Sequence, residues 1–118
     1  MATKSEHRAR AEHNENLVAI LQYPFWDWKV TGLFYAAVHY VQCYFAAKSV
    51  TLPPGKMNHR KRLTLVQWHL RSIYKDYEDL YNDCREARYE ADIEFTEKEV
   101  KVLENKLESV KKEILPHL

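Results

Sequence analysis

Glycine occurs twice and proline four times in 118 residues, too few for the repeated tight turns of a sandwich or barrel. Cysteine also occurs only twice, at Cys43 and Cys84. Two thiols make neither a disulfide framework nor a four-ligand zinc site, so they read as small apolar residues of a reduced, cytoplasmic protein. Neither sign of charge is in excess: the formal net charge is +1, which excludes a strongly basic nucleic-acid binder on bulk charge alone. No secretory signal is visible, because Lys4, Arg8 and Arg10 lead into Glu12, His13, Asn14 and Glu15 instead of an apolar stretch. The longest uncharged run, Val30 to Ala47, has spanning length. It holds Thr31, Gly32, His39, Gln42 and three tyrosines, which suit the central helix of a bundle better than a membrane span.

What is present is helical periodicity in a chain 46% hydrophobic, enough for one core and one domain over residues 1–118. From about Thr3 to Gln22 the residues stay polar until Leu17, Val18, Ile20 and Leu21, which predicts a first helix frayed over residues 1–10 and docked through its second half. Tyr23-Pro24-Phe25 breaks it. Asp27 is the expected N-cap of a second, most buried helix carrying Val30, Leu33, Phe34, Ala37, Val38, Val41 and Phe45. Gly32 inside that helix marks a close approach by a neighbour. Pro53-Pro54-Gly55 must be a loop.

Apolar spacing then continues from Met57 to Glu90, which as one helix would be roughly 50 Å long and overhang a domain of this size. A break is therefore expected at Arg71 to Tyr74, with Ser72 as its cap. Thr96-Glu97-Lys98-Glu99 has the capping-box form. The helix after it, over 96–115, carries an a/d seam of Val100, Leu103, Leu107, Val110 and Ile114, too short to stand alone and so packed on the bundle or on a second copy. The expected fold class is all-α, a mostly antiparallel up-and-down bundle of four to five helices.

The near-neutral total conceals segregation. Lys56, Arg60, Lys61, Arg62, Arg71 and Lys75 give +6 between residues 56 and 75 with no acid, and residues 76–99 sum to −7. Such an arrangement gives a local positive surface for phosphate or an acidic partner, unless the two stretches pair with each other. Within the basic stretch Arg62 and His69 fall within about 20° of each other on a helix, and His59 lies one turn before Leu63. An arginine and a histidine at a core edge can hold a phosphate and exchange a proton with it, or simply hydrogen-bond within the bundle. No histidine has a glutamate three residues before it, and no phosphate-cradling glycine loop or nucleophile elbow occurs. No metal or other cofactor is expected.

Asp27-Trp28, Phe34 to Val41, Asn58-His59-Arg60-Lys61-Arg62, Tyr77-x-x-Leu80 and Cys84-Arg85-x-x-Arg88-Tyr89 together resemble a branch of the HEPN superfamily of small prokaryotic helical bundles. The resemblance spans about half the chain, from Asp27 to Tyr89. It implies a homodimerising bundle that binds RNA or a nucleotide, with relatives in toxin-antitoxin and other defence systems beside a nucleotidyltransferase-type partner. Catalytic members share an Arg-x(4 to 6)-His motif that cuts RNA without a metal, to which Arg62 and His69 correspond at the upper limit of spacing. Leu63 departs from the polar residue usual after that arginine, so noncatalytic members match at least as well. In these, His39, His59, Arg62, Arg88 and Tyr89 would form a polar network or ligand pocket, with Arg60 and Lys61 beside it. The alternative function is a noncatalytic interaction module docking a protein through the C-terminal helix.

Overall fold

Thr3 begins the first helix with its side chain accepting from the Glu6 amide while Glu6 reaches back to the Thr3 amide. The computed structural model describes residues 2–118. Helix α1 spans Lys4–Ile20, α2 Trp26–Ala47, α3 His59–His69, α4 Tyr74–Tyr89 and α5 Glu97–Ile114, with 3-10 turns at Arg71–Ile73 and Leu115–His117. Among the described residues there is no strand, and no helix is long and apolar enough to cross a membrane. The all-α bundle is as expected.

Helix α2 is the axis of the fold: α1, α4 and α5 all pack on it, and it buries residues around most of its circumference, from Val30 through Phe45. Its interior glycine is there for space. A Cβ on Gly32 would lie 2.7 Å from Cγ2 of Val18, so α1 and α2 approach more closely than an alanine allows. The seam of α5 (Val100, Leu103, Leu107, Val110, Ile114) is buried against this chain's own core. Its start is the expected capping box at Thr96 and Glu99. Gly55, at φ 86°, supplies the left-handed turn of the loop between α2 and α3.

Three local expectations are corrected. Residues 4–10 are regular helix from Lys4 instead of frayed, because Thr3 and Glu6 form a second capping box and the Cys43 thiol donates to the Lys4 carbonyl at 3.3 Å. Asp27 is not an N-cap. The chain leaves Pro24 already turning, with the Phe25 amide bonded to Gln22 and the Lys29 amide to Phe25, so Asp27 stands inside the first turn, where its carboxylate faces the positive helix end. The break at 71–74 exists as a 3-10 turn, but Ser72 caps nothing. Buried Leu70 and Ile73 anchor the corner, and α4 starts without a side-chain cap.

Candidate functional site

Among the described residues Arg62 is the one buried charged side chain, 9% exposed, and no carboxylate there lies within salt-bridge distance of it. Its Nε donates to Oε1 of Gln42 at 3.1 Å and its Nη1 to Nδ1 of His59 at 3.0 Å. A guanidinium has no acceptor, so His59 keeps a lone pair on Nδ1 and its proton on Nε2. The Tyr77 hydroxyl is buried beside this guanidinium without a hydrogen bond that meets ordinary geometry. Burial holds the Tyr77 hydroxyl well above the usual phenol range.

One helix face away, Nδ1 of His7 and Nδ1 of His39 meet at 3.1 Å, with ring centroids 5.4 Å apart. His39 sits on α2 one turn before Gln42, so α1, α2 and α3 bring His7, His39, Gln42, His59 and Arg62 to one end of the bundle. All three imidazoles are pushed toward the neutral form, first by burial and then by nearby positive charge in which Arg62 is common to all. For His39 the pKa falls to about 4. A cavity of about 320 Å³ opens here, lined by His7, Gln42, Phe45, Ser49, Val50 and Leu52 among others, with no acidic side chain in its wall. Arg62 does not line this cavity; Gln42 is the side chain that both lines it and bonds the guanidinium, and the rest of the wall is largely apolar.

The sequence-derived residues divide around this centre. His39, His59 and Arg62 converge on it. His69 does not: it is exposed at the end of α3, edge-on to Phe45 at 6.3 Å, two turns and about 10 Å along the axis from Arg62. Lys61 turns back on the loop, its Nζ donating to the carbonyls of Pro54 at 2.9 Å and Lys56 at 3.0 Å. Arg60 is exposed without a carboxylate partner among the described residues. Arg88 and Tyr89 lie apart, at the end of α4, with Arg88 donating to Tyr35 and Tyr89 hydroxyls. Tyr35 links the two regions, since its ring centroid is 6.0 Å from that of His59.

His7 and Gln42 were not among the residues that sequence spacing singled out. His7 stands in a polar stretch of a helix, where nothing local distinguishes it from His13. Gln42 carried a signal, as an uncharged polar residue inside the most apolar helix.

The segregated charges do not cancel each other. Of the six basic residues in 56–75, only Lys75 meets carboxylates among the described residues, Asp79 at 2.8 Å and Glu78 at 3.8 Å, both on its own helix. The longer-range pairs instead join Lys106 to Asp79, Lys111 to Glu15 and Lys29 to Glu104. No family model, curated protein or solved structure matches this chain.

Proposed function

We propose that this chain binds the phosphates of RNA or a nucleotide through its basic 56–75 stretch, in which Lys56, Arg60 and Arg71 are exposed, as a noncatalytic HEPN-like bundle. The observation that carries this reading is the charge arrangement: five of six basic residues in the 56–75 stretch lack a carboxylate partner among the described residues. In the adjacent acidic stretch, Asp79 pairs with Lys106 of α5 and with Lys75 of its own helix, and not with the exposed Lys56, Arg60 or Arg71. Phosphate supplies the missing charge at these exposed cations.

Binding is favoured over cleavage because the buried Arg62 guanidinium is already bonded to His59 and Gln42 while His69 is exposed at the end of α3. The protein-docking alternative is less favoured because the α5 seam is buried in the chain's own core, which leaves only the outer face of that helix for a partner.

The test is RNA affinity against salt. Binding of a labelled single-stranded RNA, followed by anisotropy, should fall steeply between 50 and 200 mM salt, because each neutralised phosphate releases counterions (about 0.7 per phosphate contacted). Arg60→Gln should flatten the slope by roughly one phosphate. Flat salt dependence, or no binding at 50 mM, overturns the proposal. RNA cleavage that vanishes in His69→Ala would replace binding by catalysis.

A further inference from the structure

The opposite end of α2 carries a second concave region. A groove of about 450 Å³ runs between the first turns of α2 and the last turn of α4, lined by Asp27, Trp28, Thr31, Tyr35, Ala87, Arg88 and Tyr89. Its walls are aromatic and unusually open to solvent: Trp28 is 58% and Tyr89 68% exposed. Large aromatic side chains left this accessible around one concavity are the feature most often covered by a ligand.

Arg88 decides which ligand. Its guanidinium is fixed in place by neutral groups: Nη1 donates to the Tyr35 hydroxyl at 2.5 Å and Nη2 to the Tyr89 hydroxyl, with the cation 5.8 Å from the Tyr35 ring centroid and 4.8 Å from that of Tyr89. None of these contacts neutralises its charge, and no carboxylate lies within salt-bridge distance of it among the described residues. Two hydroxyls leave further N–H donors of the fork unused. A pre-positioned cation with spare donors, flanked by indole and phenol faces, is complementary to an anion attached to a flat ring. Asp27, which has no cationic partner among the described residues either, lines the groove from the α2 side. It excludes a ligand with anionic groups at both ends and offers an acceptor to a ring N–H.

We propose that this groove is a small-molecule site for a planar aromatic ring bearing one anionic group, with Trp28 and Tyr89 stacking the ring and Arg88 holding the anion. Nucleotides and aromatic carboxylates both have this chemistry. The site is separate from the basic 56–75 stretch and stands whether or not phosphate binds there.

The probe is the indole N–H of Trp28, followed by nitrogen-15 NMR and assigned with Trp28→Phe. Adenosine 5′-monophosphate and N-acetyltryptophan represent the two sources, and adenosine and N-acetyltryptophanamide are their counterparts without the anion. At least one anion should shift the Trp28 signal saturably below 10 mM, at least tenfold more tightly than its uncharged counterpart. Saturation by the nucleotide alone or by the carboxylate alone supports the site and identifies the source. Arg88→Gln and Tyr89→Ala, both at exposed positions and checked for an unchanged thermal melt, should each weaken that binding at least tenfold. Arg60→Gln should leave it unchanged while lowering RNA affinity, so the two sites fail separately. No shift with either anion at 10 mM, equal binding of charged and uncharged forms, or full binding in Arg88→Gln overturns the proposal.

Discussion

His7 on α1 and His39 on α2 face each other Nδ1 to Nδ1 at 3.1 Å, so one of these nitrogens must donate and the other accept. A proton added to the accepting nitrogen sets two N–H groups against each other next to Arg62 and Arg10, the cations that, after burial and His7, keep the His39 pKa near 4. The unfolded chain takes up a proton at His39 near pH 6.5, whereas the folded chain resists until about pH 4. The folded state is therefore destabilised as pH falls from about 6.5 toward 4. For this half-buried ring the loss is on the order of 1 kcal/mol after solvent screening is allowed for. Urea denaturation at pH 7.5 and pH 5 should show it, and His39→Phe should reduce the difference, leaving the part due to His7 and His59, which are shifted the same way.

Arg62 acts on three imidazoles at once. Replacing it with methionine, of similar length and no charge, should raise the pKa of His7, His39 and His59 together, since its charge lowers each of them. Histidine ring shifts in an NMR titration would read this directly. Removing the guanidinium leaves Gln42 Oε1 and His59 Nδ1 without their donor, at a cost of about 1–3 kcal/mol for each buried group left unsatisfied, so Arg62→Met should melt measurably below wild type while remaining folded. A collapse of the fold would mean that Gln42 and His59 depend on the guanidinium for their positions.

Gly32→Ala should destabilise the chain despite the better helix propensity of alanine, worth about 1 kcal/mol. The new methyl meets Cγ2 of Val18 at 2.7 Å, and a β-branched side chain in a helix has little freedom to turn away. Overpacking costs about 1–3 kcal/mol, leaving a net loss of about 1 kcal/mol. Val18→Ala in the same chain should recover most of it, a coupling that a double-mutant cycle measures.

Leu107→Ala should cost about 2–5 kcal/mol, as for other deeply buried leucines, because Leu107 is fully within the core. Its oligomer mass by light scattering should equal that of wild type at every concentration at which the variant is folded. A change of mass would assign the α5 seam to a second copy.

How far the sequence carried the fold depends on what kind of signal each residue gives. The seam of α5, the capping box at Thr96 and the loop at Gly55 were legible because their causes are local: spacing, a cap pair, a left-handed residue. Gly32 was legible as an anomaly, a helix-weakening residue that only a close neighbour explains. Asp27 and Ser72 misled for the same reason, since a good capping residue forms a cap only where the helix starts. The candidate site was half legible. His39, His59 and Arg62 stood out as polar residues on apolar stripes, but His7 joins them across thirty-two positions of sequence, and no local pattern encodes a meeting of that range.

Helix α3 is held lightly. Among the described residues it buries Arg62 and Val66, as α1 buries Ala11 and Val18, while α2 and α5 are anchored along their whole length. The 3-10 corner at Arg71–Ile73 joins it to the core as a bracket joins an arm. Local opening starts where the fewest apolar contacts must be broken, so the segment bearing Arg60 and Arg62 can separate from the bundle at a fraction of the free energy of global unfolding. The molecule thus places Arg60, Lys61 and Arg62 on a lightly anchored element, one that can open without disturbing the core beneath it.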